Sequence, residues 1–192
     1  MFMTNIGGNV LLRNDGDGLG FTNMAPEAGA TMGFIDHKPR VTWGAAFLDY
    51  DNDGDEDLYV VSGYLSFSPR PIEEQPNSLL RNERDDTFTD VSHGSGADDV
   101  DRGRGGVYLD FDNDGCLDLF VVNYGQTATL YRNLCDSGNT WLVVDPEGTA
   151  GNRDGIGTRI TVVTGGLSQI REVRAGSGQM GQNAMAPHFG LG

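Results

Sequence analysis

The sequence predicts an all-β protein built of repeated, blade-like sheets. Three observations carry that expectation. Short β-branched and aromatic runs are bounded by Asn, Asp and Gly clusters. Glycine stands at 29 of 192 positions, scattered through turns without a collagen-like period. The chain also resembles itself, and nothing in it sustains a helical period for three turns.

The repeat sets the order of elements. NVLLRNDGDGLGFTNMAPEAGA (9 to 30) matches NSLLRNERDDTFTDVSHGSGAD (77 to 98), and TLYRNLCDSGNTWLVV (129 to 144) begins in the same way. Asn14 to Asn82 is 68 residues, Asn82 to Asn133 is 51, and Asp49 to Asp110 is 61, giving a unit of about 60 residues, near the period of propeller blades. Within a unit the expected order is a strand (GAAFLDY), an aspartate loop, a strand (DLYVVSGY), a variable loop, a strand (SLLRN), a polar turn, and a last strand (TFTDVS). The turns NDGDG and NERDD are rich in residues that accept a left-handed backbone. PEAGA and EEQPN are expected to give at most a single helical turn, and SFSPRPIEEQP (66 to 76) to be a surface loop.

Composition narrows the function. The formal charge is −15, with 13 Lys and Arg against 28 Asp and Glu, which argues against a nucleic-acid partner because gripping phosphates needs clustered cations. With 38% hydrophobic residues, the chain is nonetheless expected to fold. No apolar run is long enough for a membrane span, and MFMTNIGGNV lacks the features of a signal peptide, so an export signal lies outside this sequence or the protein is not exported. Cys116 and Cys135 permit one disulfide between adjacent strands or remain two buried thiols; a bridge would favour an oxidising compartment.

The aspartate loops are the chemical signal. In DYDNDGDEDLYVV, Asp49, Asp51, Asp53 and Asp57 occupy positions one, three, five and nine, with Gly54 at six and the Asp55 carbonyl available at seven. In DFDNDGCLDLFVV the same places hold Asp110, Asp112, Asp114 and Asp118, with Gly115 and the carbonyl of Cys116. Alternating carboxylates on a tight loop can all turn inward, and a glycine permits the bend that brings a carbonyl round. Hard oxygen donors in that number select Ca2+, at two sites, over Mg2+ with its stricter octahedron or Zn2+ with its nitrogen and sulfur ligands. An EF-hand is ruled out because position twelve is Val60 or Val121 rather than Glu, and both flanks read as strand. Asp and Asn also serve as plain turn residues, but two aligned copies keeping four carboxylates and the glycine argue for a metal.

The pattern strand, DxDxDGxxDL, strand, nxLyrN, tFtdv resembles the FG-GAP or VCBS-type repeat, and GNRDGIGTRITVVTGGLSQIREVRAGSGQMGQNAMAPHFGLG (151 to 192) resembles the first part of the ASPIC/UnbV domain that often follows such repeats. The implied organisation is FG-GAP/VCBS-like repeats over 1–148, about two and a half propeller-type blades, and a partial, small β ASPIC/UnbV-like segment over 149–192. The resemblance implies metal roles for Asp49, Asp51, Asp53, Asp55 and Asp57, and for Asp110, Asp112, Asp114, Cys116 and Asp118, with Asp55 and Cys116 acting only through their carbonyls. Asn52 and Asn113 are expected to shape the turns. About 150 residues fall short of the four to eight blades of a closed propeller. The sequence is therefore expected to be a piece of a longer protein, or a filament subunit whose open strand edges are completed by neighbouring copies.

No catalytic site is expected. His37, His93 and His188 lie in unlike contexts, with His188 in a family structural position; no GxSxG or GxxxxGK[ST] occurs. Glu73 and Glu74 sit in the Pro-rich loop and are expected to face water. The expected function is a calcium-stabilised, extracellular or cell-surface module for adhesion or assembly, with protein, carbohydrate or another copy as partner. The alternative is an accessory domain of a secreted glycan-active enzyme.

Overall fold

A computed structural model describes residues 1–64 and 74–192. The chain is all-β, as the sequence predicts, and consists of small antiparallel sheets. The first unit contains β1 (Phe2–Met3), β2 (Val10–Asn14) and β3 (Phe21–Asn23), in that spatial order. A two-stranded hairpin, β4 (Phe34–Ile35) and β5 (Lys38–Pro39), leads into the second unit. That unit is a four-stranded meander of β6 (Thr42–Leu48), β7 (Asp57–Ser62), β8 (Ser78–Asn82) and β9 (Phe88–Asp90). After β9 the chain makes a one-turn helix, α1 (Ser92–Ser95), at the end of the expected strand TFTDVS and beyond it, where the sequence reading placed no helix. The Ser92 hydroxyl caps the Leu79 N–H (2.9 Å), and Gly96 ends the turn at φ 76°.

The third unit repeats the meander with β10 (Gly103–Leu109), β11 (Asp118–Asn123) and β12 (Thr129–Tyr131). The remaining strands are β13 (Trp141–Val143), the hairpin β14 (Arg159–Thr164) with β15 (Leu167–Glu172), and β16 (His188–Gly190), which returns to pair with β13. PEAGA forms a single turn, within the one turn expected of it, with the Ala28 N–H bonded to the Met24 carbonyl. The expected surface loop of 66–76 and Glu73 lie mostly outside the described residues; Glu74 is exposed. No helix among the described residues is long and apolar enough to cross a membrane.

Registers show how closely the units match. Leu58 faces Leu80, Tyr59 faces Leu79 and Val60 faces Ser78 across β7 and β8; Leu119 faces Tyr131, Phe120 faces Leu130 and Val121 faces Thr129 across β11 and β12. Alternation along each strand sends successive side chains to opposite faces, so the sheet of the second unit packs on both sides. One face of the second unit, Leu58, Val60 and Leu80, packs with Phe2 and Leu11 of the first unit. The other, Tyr59, Val61 and Leu79, packs with Leu117, Leu119, Val121 and Tyr131 of the third. Each such side chain taken fully from water contributes roughly 1.5–3 kcal/mol. β7 is consequently buried along its whole length.

Candidate metal loops and the segment that covers them

Both aspartate loops connect the first two strands of a meander, β6 to β7 and β10 to β11. Their carboxylates at positions one, five and nine accept corresponding hydrogen bonds. Asp49 Oδ1 accepts from the Asp53 N–H (3.0 Å) and Oδ2 from the Gly54 N–H (2.9 Å); Asp110 accepts from Asp114 (3.1 Å) and Gly115 (2.9 Å). Asp53 accepts from the Asp55 N–H (2.9 Å), and Asp114 from Cys116 (3.0 Å). At position nine, Asp57 accepts from Tyr50 and Asn82 (3.2 and 2.8 Å), and Asp118 from Phe111 and Asn133 (3.0 and 2.8 Å). The last pair ties each loop to the third strand of its sheet.

Backbone conformation explains the turn residues. Asn52 and Asn113 lie at φ 59° and 58°, and Gly54 and Gly115 at φ 97° and 90°. Asn tolerates the first of these left-handed positions, while glycine suits the second without steric cost. The loop thus curls so that the donor oxygens of Asp49, Asp51 and Asp53 lie within 4.8 Å of one another, as do those of Asp110, Asp112 and Asp118.

Other expected residues point elsewhere. The Asp55 carboxylate pairs with the Arg84 guanidinium, which also reaches Asp53 (3.4 Å). Asp114 and Asp112 pair with Arg132 at 3.4 and 2.7 Å. Cys116 is bonded to Cys135 in a disulfide with a Cα–Cα distance of 5.9 Å, so neither sulfur is a thiolate ligand although both lie near Asp114. Arg84 and Cys135 stand at equivalent places: each is two residues beyond the repeat-motif asparagine, Asn82 or Asn133, with a left-handed φ (63° and 52°), its N–H bonded to that Asn side chain (3.1 and 3.2 Å). An ion pair in one unit and a disulfide in the next therefore make the same strut, from loop position seven to the turn after the third strand.

Burial concentrates charge in the first loop. Asp49 and Asp57 are 2% and 1% exposed. Loss of solvation pushes Asp49 up to about 7, with the nearby Asp53 and Asp51 charges adding to it against the bonds from Gly54 and Gly190. Asp57 rises to about 8, again chiefly through burial, with Asp51 and Asp49 adding repulsion. Asp51 is raised by burial and by Asp53, and Asp118 is raised by burial. Such carboxylates gain from a cation.

The C-terminal segment covers both loops. The Gly190 N–H donates to Asp49 Oδ2 (3.1 Å), the Gly192 N–H to the Asn52 carbonyl (3.0 Å), and the Asn139 amide to the Asp51 carbonyl (2.9 Å). At the second loop, the Gly115 carbonyl accepts from both His188 Nε2 (3.0 Å) and the Asn52 amide (3.1 Å), so one side chain of the first loop reaches into the second. Trp141 stacks on the buried His188 ring, whose pKa is lowered by desolvation. The sequence placed His188 as structural, and missed Arg84, Arg132, Asn82, Asn133 and Gly190. The recurring LLRN, LLRN and LYRN motifs were the signal for the asparagines.

The architecture and these contacts define an acidic all-β module closed by a C-terminal β segment. Residues 148–192 match the family described as "ASPIC and UnbV". The chain is similar to cartilage acidic protein 1: 28% identical over 149 residues to the proteins of Mus musculus and Homo sapiens, covering 75% of this chain and 22% of theirs. The Xenopus tropicalis protein is 30% identical over 169 residues, covering 85% of this chain and 25% of that relative. The chain spans about a quarter of the length of the curated relatives it matches.

Proposed function

We propose that this chain is a calcium-stabilised, non-catalytic β-repeat module of the FG-GAP/VCBS type, working outside the cell in adhesion or assembly. The observation that carries this reading is the duplicated loop: two nine-residue turns with the same carboxylates, the same left-handed residues and the same internal hydrogen bonds. The donor set fits a hard cation, since the clusters of Asp49, Asp51 and Asp53 and of Asp110, Asp112 and Asp118 offer only oxygen, and the side chains of Asp55 and Cys116 are engaged by their struts. Asp49, Asp51, Asp53 and Asp57, and Asp110, Asp112, Asp114 and Asp118, would hold Ca2+, with the carbonyls of Asp55 and Cys116. A bound divalent ion supplies the counter-charge for carboxylates that burial leaves poorly solvated. The protein's own part is to fix the loop geometry and to present its variable loops to a protein or carbohydrate surface.

An extracellular place is supported by the disulfide, which oxidising compartments preserve, and by likeness to proteins named for cartilage. Calcium titration of the chelator-stripped protein, followed by calorimetry and thermal melting, tests the reading. Two binding events and a higher melting temperature are expected, with calcium more effective than magnesium. Heat resistance indifferent to both chelator and calcium overturns it.

A further inference from the structure

The two aspartate loops share a shape but not a fastener. Loop position seven, whose carbonyl is a metal donor in the reading above, is tied to the turn after the third strand by the Asp55–Arg84 ion pair in the second unit and by the Cys116–Cys135 disulfide in the third. The far ends of the two struts match closely. Arg84 and Cys135 both lie at left-handed φ (63° and 52°), and both donate their N–H to the asparagine two residues earlier (3.1 and 3.2 Å). Only the strut of the third unit can be cut by a reductant.

The loop that carries the disulfide is also the less covered one. In the first loop Asn52 and Gly54 are buried, and Asp49, 2% exposed, takes a bond from the Gly190 N–H (3.1 Å) besides the one from Gly54 (2.9 Å). In the second, residues 111–114 are exposed, and the C-terminal segment reaches the loop through His188 Nε2 on the Gly115 carbonyl (3.0 Å). The Cys116 N–H donates to Asp114 Oδ1 (3.0 Å), so the bridged residue holds the position-five carboxylate as well as offering its own carbonyl.

The bridge is open to attack from one side. Cys116 is 1% exposed, whereas Cys135 is half-buried between the exposed Leu134 and Asp136. A thiolate of a dithiol reductant meets the Cys135 sulfur; the S–S bond breaks and its electron pair leaves on Cys116, which takes a proton. The second thiol of the reductant then displaces Cys135 as a thiol and closes its own disulfide, so two protein thiols form as one dithiol is oxidised.

We propose that the Cys116–Cys135 bridge is a positioning device that makes calcium binding at the second loop, and at that loop alone, depend on thiol redox conditions. The proposal rests on the calcium reading above and states the regulation of its second site. Closed, the bridge fixes Cys116, and with it a carboxylate and a carbonyl donor. Opened, it leaves both to an exposed loop. The first loop, with an ion pair in the same place, is the internal control.

Calorimetric calcium titrations with and without dithiothreitol test it, on the natural chain, on Asp112→Ala, which leaves the first site, and on Asp53→Ala, which leaves the second. A thiol count establishes that the bridge is open, and circular dichroism that the sheets persist. The second site is expected to weaken about tenfold, as when a loop holds its binding shape about a tenth of the time, and the first to be unchanged. Cys116→Ser with Cys135→Ser should reproduce the loss without reductant. Cys116→Asp with Cys135→Arg transplants the ion-pair strut, and is expected to recover most of the affinity and to ignore reductant, a rescue that a general loss of stability does not give. Equal weakening at both sites overturns the proposal. Calcium binding at neither site, bridge open or closed, overturns the calcium reading as well, whereas second-site binding indifferent to an open bridge overturns the redox dependence alone.

Discussion

Removing metal at controlled pH tests the first loop directly. Without a cation, Asp57 titrates near 8 in the folded protein against 3.8 for a free aspartate, and Asp49 near 7. A folded-state pKa raised in this way makes the native form hold a proton that the unfolded chain releases. The resulting stability is fully present below pH about 4 and is lost as pH rises through the folded-state value. At about 1.4 kcal/mol per tenfold, Asp57 alone costs about 4 kcal/mol by pH 7, an order-of-magnitude figure. Asp49 adds to this, though the two contributions are not simply additive, because part of the Asp57 rise is repulsion from the Asp49 charge. Against a typical domain stability of about 5–15 kcal/mol, that is a large fraction. His188 acts in the opposite sense below its ordinary value of 6.5, since burial keeps it neutral, so the cleanest window is pH 6.5 to 8. Urea melts in chelator are expected to lose stability steadily across that window. In saturating calcium the loss should vanish, and calorimetry in buffers of different ionisation enthalpy should record about one to two protons released per molecule near pH 7. Metal-free stability that stays flat or rises from pH 6.5 to 8 would refute the reasoning.

Three further outcomes follow from individual contacts. Asp53→Ala removes one clustered donor and the acceptor for the Asp55 N–H, and is expected to weaken calcium binding at the first loop while calorimetry shows the second unchanged. Cys135→Ser opens a disulfide with a sequence separation of 19 residues, for which loop-closure entropy gives about 3 kcal/mol; chemical denaturation should show that loss, and reductant should have no added effect on the variant. Gly190→Ala places a methyl against Asp49 Oδ2 and the Asn52 backbone, so hydrogen exchange should show faster opening of residues 49–57 together with 188–192.

Much of this fold was legible because its signals are local. Alternating aspartates followed by DLYVV or DLFVV announce a turn and then a strand, and SLLRN coincides with β8. The left-handed demand at Asn52, Gly54, Asn113 and Gly115 is likewise written in the residue types. Long-range pairings were not legible. Asp49 meets Gly190 across 141 residues and Asn52 meets Gly115 across 63, and no short-range pattern encodes either contact. The strut was hidden for another reason: Asp55 with Arg84 and Cys116 with Cys135 share a place but no chemistry, so the units cannot be aligned there by residue identity. α1 escaped because its four residues, SHGS, are poor helix formers held by the Ser92 contact with Leu79 rather than by intrinsic propensity.

The bond from the Gly190 amide to Asp49 also orders events in time. A ribosome delivers the first loop long before residues 188–192, so during synthesis Asp49 Oδ2 holds only its bond from the Gly54 N–H and lacks the one from Gly190. The third unit can stack on the second as soon as β12 emerges, whereas the cover arrives later, after a longer search in sequence. Completion of the first loop thus waits for a segment made 141 residues after Asp49, which couples the settling of that loop to the folding of the β16 region.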